Sequence, residues 1–401
     1  MEDIISHGRP PHGGWRRRVV PAVVVVAIAA LAVAEHVGHG GAARPGKSAA
    51  AGKARSVRRH PPTGPAVIVG QSQPWAATAR MPRTGIQPAW FALANGHVQP
   101  IGGLPRYGSG YVFTKIQGGW LLQPKLVATA TCGDCSGPTS SAMAGCGSCP
   151  RPAAAVYYLA TNARAVTTIG VATMVAPAAA RGLAWLTWFP TNSGLGTTVG
   201  IAREYDSKGR AHGPAVSLPI GYKIVRGTRK GLLLTAVTGG PHPGPDRLWN
   251  PARPNAIRTF RRVIAASASQ LALVSHCAAR CSLRVLNLVT GQHTTLRLAH
   301  GDPVTGKFSP DGRYLALEVR QARAVYLDVV TLASDHVIAV PRTAVSGSAF
   351  GSFGWPGNGD YLAAKLTVGA RVRITYWNAA NAATAFASIR ATLDPNELIT
   401  G

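Results

Sequence analysis

The chain holds 401 residues, 46% of them apolar, with 46 glycines and 30 prolines. That content can bury a large core in one or two domains, and so many turn formers, with no long helix-period run, argue against a mainly helical body. Lys and Arg number 42 against 15 acids, a formal charge of +27, and only ten of the bases and three of the acids precede Ala66.

In chain order, residues 1–18 read as a short basic cytoplasmic tail. Arg16, Arg17 and Arg18 precede the uncharged run "VVPAVVVVAIAALAVA" from Val19 to Ala34. Aliphatic side chains are favourable in lipid and flanking arginines stay cytoplasmic, so residues 19–37 are expected to form one transmembrane signal-anchor helix. The run is a little shorter than the ~20 residues of a usual span. Ala32-Val33-Ala34 also fits a signal-peptidase site, so secretion after cleavage near Ala34 is the alternative. Either reading exports the remainder of the chain. Residues 38–65 carry almost no large apolar side chains and cannot offset the entropy of ordering, so they read as a disordered basic Gly/Ala/Pro linker.

Residues 66–401 read as one β-propeller domain. The stretch "KFSPDGRYLALEV" contains a strand end, a tight turn and a second strand: Pro310 presets φ, Asp311 bonds its own backbone and Gly312 tolerates positive φ. Similar apolar strands follow the same rhythm: "GWLLQP" at Gly119, "GLAWLTW" at Gly182, "GLLLTAV" at Gly231, "QLALVSH" at Gln270 and "DYLAAKL" at Asp360. After a longer first step they recur about every forty to forty-seven residues, the spacing of four-stranded propeller blades. Each has a companion strand behind it, such as "AVYYLATN" and "AVYLDVVT", and a seventh companion, "AWFALANG" from Ala89, lacks a preceding marker. "AVIVG" from Ala66 and the C-terminal "ATLDPNELIT" are the pieces left to complete that blade. The fold class is therefore all-β, a propeller of seven blades with six as the alternative, preceded by one transmembrane helix.

"FSPDGRYLAL", carried by Phe308, Pro310, Asp311 and Gly312, resembles the WD40-like (PD40) repeat of the TolB family of exported bacterial propellers. The resemblance is strongest there, weaker in the next repeat, and only periodic in the earlier ones; the WD dipeptide is missing. It implies a propeller that binds protein or peptide and carries no chemistry of its own.

Six cysteines form two groups: Cys132, Cys135, Cys146 and Cys149, then Cys277 and Cys281. The spacing of the first four fits a tetrathiolate zinc site. Export to an oxidising compartment favours disulfides instead, with both groups at the tips of hairpins between a marker and its companion strand. Zinc on Cys132, Cys135, Cys146 and Cys149 remains the alternative, and connectivity is open.

No G-x-S-x-G, Walker or Rossmann pattern occurs. Asp206, Asp246 and Asp328 read as strand or strand-end residues with solvent or turn roles, the scattered histidines as surface residues, and the tryptophans as packing between blades. No catalytic residue and no cofactor is expected. Nucleic acid is not an expected partner, because no aromatic-basic stacking module is present. The positive surface would attract polyanions, although a basic bias of the whole proteome explains it as well. Two readings follow. One is a non-catalytic, membrane-anchored, monomeric propeller that binds a protein, peptide or anionic envelope polymer through its loop face. The other is a metal-dependent, lactonase- or lyase-like enzyme working in the central channel.

Overall fold

The computed structural model describes residues 66–71, 87–105, 111–124, 153–161, 163–189, 199–237, 244–274, 282–298, 301–322, 324–340, 345–346, 352–356, 361–368, 371–379, 387–391 and 399–400. The expected cytoplasmic tail, signal-anchor helix and linker lie outside these residues, as do all six cysteines.

Seven antiparallel sheets follow one another along the chain. Blade 1 opens with β1 (Ala66–Gln71), β2 (Gln87–Ala92) and β3 (Val98–Pro100). Blade 2 is β4 (Tyr111–Ile116), β5 (Gly119–Pro124), β6 (Ala154–Ala160) and β7 (Thr167–Ala172). Blade 3 is β8 (Met174–Pro177), β9 (Leu183–Trp188), β10 (Ile201–Asp206) and β11 (Ala211–Ser217). Blade 4 is β12 (Tyr222–Thr228), β13 (Gly231–Ala236), β14 (Asp246–Asn250) and β15 (Arg253–Phe260). Blade 5 is β16 (Val263–Ala266), β17 (Gln270–Val274), β18 (Leu283–Asn287) and β19 (His293–Leu296). Blade 6 is β20 (Asp302–Phe308), β21 (Tyr314–Gln321), β22 (Ala324–Thr331) and β23 (His336–Ala339), with β24 (Val345–Ser346) also paired to β22. Blade 7 is β25 (Ser352–Gly354), β26 (Tyr361–Val368), β27 (Arg371–Asn378) and β28 (Ala387–Ala391). The last strand, β29 (Ile399–Thr400), returns to blade 1 and pairs with β1, matching Val69 to Ile399 and Ile68 to Thr400.

That pairing closes the ring with strands from both ends of the domain, so neither end leaves an unpaired inner edge. The first strands form the inner wall: β4 lies against β8, β8 against β12, β16 against β20, and β29 against both β25 and β4. Burial decays outward from there. In β21 Tyr314 to Val319 are all buried because both faces of the strand are covered, whereas β11 and β15 on the rim are almost wholly exposed.

The core is distributed over the seams between blades, as expected when each sheet must cover both its faces against neighbours. Trp90, Tyr111, Trp120 and Leu159 join blades 1 and 2. Leu121, Val156 and Leu186 join 2 and 3; Ala202, Leu232 and Leu234 join 3 and 4. Leu233, Leu248 and Leu271 join 4 and 5; Val285, Leu315 and Leu317 join 5 and 6. Val329, Trp355, Leu362 and Trp377 join 6 and 7. Val67, Phe91, Ala363 and Ile374 return from 7 to 1. There are as many seams as blades, which decides for seven over six.

Close contact between strands selects glycine at the head of two marker strands. A Cβ on Gly119 would lie 2.3 Å from the Leu159 carbonyl oxygen, and one on Gly231 would lie 2.4 Å from that of Trp249.

Candidate binding surface

The signature turn of blade 6 is built from its own atoms. Ser309 Oγ accepts from Tyr314 N at 2.9 Å and donates to Asp311 Oδ1 at 2.6 Å, while Arg313 N donates to the same carboxylate oxygen at 3.1 Å. Gly312, at φ 75°, donates its N–H to Ser309 O at 2.9 Å. Burial raises the Asp311 pKa, but the bonds from Ser309 and Arg313 and the paired Arg313 guanidinium outweigh it and hold the carboxyl below the usual range. Phe308 ends β20 and packs against the seam with blade 5, and Pro310 stands exposed on the turn. These four residues shape a hairpin; they do not converge on a site.

Other acids are engaged in similar ways. Asp206 accepts from Arg210 N at 2.8 Å, Lys208 N at 2.9 Å and Arg210 Nε at 2.8 Å, which depresses its pKa. Asp246 Oδ2 accepts from Val263 N at 2.7 Å, tying blade 4 to blade 5. Asp328 departs from the expected solvent or turn role. It is fully buried on β22, facing Leu317, and Glu318 is buried on the adjoining strand. Lys365 of β26 is also buried and occupies the repeat position of Glu318 in the next blade. His97, His212, His293 and His336 are exposed as expected. Among the described residues no group of three or more His, Cys, Asp or Glu side chains could hold a metal ion. The residues expected as disulfide partners, or as zinc ligands, fall in the connections between β5 and β6 and between β17 and β18, outside the described residues.

Cations on the innermost strands escape the sequence reading. Lys115 on β4 lies in register with Trp120, its Nζ 3.2 Å from the centre of that ring. It has no hydrogen-bond acceptor among the described residues, and desolvation lowers its pKa to about 7. Arg226 on β12 faces Leu233, and Lys307 on β20 faces Ala316, matching positions in blades 4 and 6. Cross-strand partners share a face, so both cations point toward the following blade. Lys307 Nζ finds Phe353 O on β25 at 2.5 Å, and its own carbonyl accepts from Trp355 Nε1 at 2.8 Å. Arg226 Nε is buried without an acceptor among the described residues. Desolvation lowers the Lys307 amine to about 8 and the Arg226 guanidinium to about 10.

The two ends of the sheets differ. Alternation of antiparallel strands sends the second-to-third-strand hairpins and the blade-to-blade connections out at one end. At that end the chain inserts residues 72–86, 125–153, 189–200, 237–245 and 275–282, whereas β21–β22 and β26–β27 close with two residues each. At the opposite end the hairpins are short, as between β4 and β5, β12 and β13 or β14 and β15. Five of the eight exposed large aliphatic side chains among the described residues lie toward the insertion-bearing end, Val112, Val171, Val199, Ile201 and Ile220, with Ile220 at 61% exposure the most open; Val225 and Ile257 lie within strands and Val289 at the opposite end.

No protein-family model matches the chain, and no curated protein matches it. Solved structures do. TolB from Acinetobacter baumannii aligns over 86% of this chain and 89% of its own at 11% identity, with a TM-score of 0.41. Apo AztD from Citrobacter koseri aligns over 84% and 97% at 10% identity, with a TM-score of 0.40. A prolyl endopeptidase aligns over 82% of this chain and 51% of its own at 11% identity, with a TM-score of 0.51. The likeness is one of fold. This chain is a propeller similar in arrangement to TolB, and it spans about half the length of that endopeptidase.

Proposed function

We propose that the chain is a non-catalytic, membrane-anchored propeller on the extracytoplasmic side of the cell membrane, and that it binds a protein, a peptide or an anionic envelope polymer through its loop face. The observation that carries this reading is the insertion-bearing end of the ring. It combines variable connections, exposed aliphatic residues and a rigid scaffold, the arrangement that recognition surfaces share. The uncharged run from Val19 to Ala34 behind three arginines supports the anchor, and the few acids with described contacts are taken up by turns and seams. The cysteines in two of the insertions fit disulfides that brace those connections outside the cytoplasm.

Capture from envelope extract tests the binding surface. The wild-type chain is expected to retain a partner that the Ile201→Asp/Ile220→Asp double variant loses; equal retention by both, or no retained partner, contradicts the reading. A reporter enzyme that is active only after export, fused behind Gly401, is expected to be active. Stoichiometric calcium or zinc bound by channel residues of the purified chain would instead favour the metal-dependent enzyme.

A further inference from the structure

Between blades 4 and 5, close to the inner wall, lies a cleft of about 250 Å³. Its walls are aliphatic, from Leu233 on β13 and Val263 to Ala266 on β16, and its polar side chains are Arg226, Thr235 and Asp246. Gly306 of β20 also borders it, so three inner strands meet there. Blade 6 shows what a cation at this position can find. In blade 6 the matching Lys307 reaches a carbonyl of the next blade's first strand. In blade 4 the matching Arg226 borders the cleft instead, and its buried Nε meets no acceptor among the described residues. Asp246 does not fill the gap: its carboxylate serves Val263 N, and no ion pair joins it to Arg226 among the described residues. A buried donor without a partner is costly, and an acceptor brought by a ligand removes that cost.

We propose that this cleft binds a small monocarboxylate with an apolar body, the anion on the Arg226 guanidinium and the body against Leu233 and the β16 side chains. The planar guanidinium fork suits a carboxylate. A dianion such as phosphate fits less well, because one cation would face it alone with Asp246 in the same cleft. The size also points to a small acid, being below the roughly 300–1,000 Å³ of pockets for drug-sized ligands. The site stands on the cleft alone and does not depend on the loop-face reading.

Titration calorimetry of the full chain with butyrate, isovalerate and benzoate, each beside its neutral amide, tests it. At least one acid is expected to bind saturably, about tenfold or more tighter than its amide. Arg226→Gln is expected to weaken that acid by a similar factor, while Lys307→Gln, whose amine already has its acceptor, leaves it unchanged. No saturable binding, equal binding of acid and amide, or full retention in Arg226→Gln overturns the proposal. If Arg226→Gln does not fold, the acid–amide comparison on the wild-type chain still decides.

Discussion

Lys115 holds its ammonium over the Trp120 ring where water would otherwise hydrate it, and the cost of that placement depends on pH. In the folded chain its pKa falls from 10.5 to about 7. Below pH 7 both states are protonated and the folded state carries the full desolvation penalty. Between about 7 and 10.5 the unfolded state binds more protons, so stability rises with pH and the penalty fades. Urea unfolding is therefore expected to show Lys115→Met most stabilised relative to wild type near neutral pH and below, with the gap closing towards pH 10; parallel profiles would refute this. Ser309 tests a different residue-scale cause. Ser309→Ala leaves the buried Tyr314 N–H without its side-chain acceptor and is expected to cost about 1–3 kcal/mol in the same measurement; a change within experimental error would mean the turn holds without it. The Ser309–Tyr314 turn was legible in sequence because all its partners are contiguous. Arg226 was not, because its meaning rests on an acceptor across a seam that its Nε lacks among the described residues.

Among elements, the second strands of blades 2 to 7 were the most readable, since a strand covered on both faces needs an unbroken apolar run. Leu315 to Leu317 and Leu232 to Leu234 show this directly. The rim strands were faint for the opposite reason: β11 and β15 face solvent and need no pattern. β24 had no signal of its own, being two residues paired to the end of β22. Glu318 and Lys365 did leave a trace, a charge inside an apolar run at the same place in successive repeats. The closing strand makes a testable claim at this scale. Removing residues 392–401 deletes β29 and bares the inner edge of β1. The truncated chain is expected to melt lower and to associate with itself on size-exclusion chromatography, as exposed edges do; an unchanged melting point and elution would contradict the closure.

For the whole molecule, the period near forty-five residues and the leftover pieces at both ends make a closed ring readable in the sequence, while the number of blades rests on whether those pieces meet. The seam between blades 7 and 1, with Val67 and Phe91 against Ala363 and Ile374, supplies the answer. Ligands and location are less readable from the same facts, because a propeller's role resides in connections that the repeat does not constrain. The closed ring is the claim on which the insertion-bearing face and the inter-blade cleft both depend. Its most direct test is a cysteine pair at Val69 and Ile399, register partners on β1 and β29. After mild oxidation, peptide mapping by mass spectrometry under non-reducing conditions is expected to find the two ends of the domain joined within one chain. Both cysteines remaining free, or pairing only between chains, would contradict it.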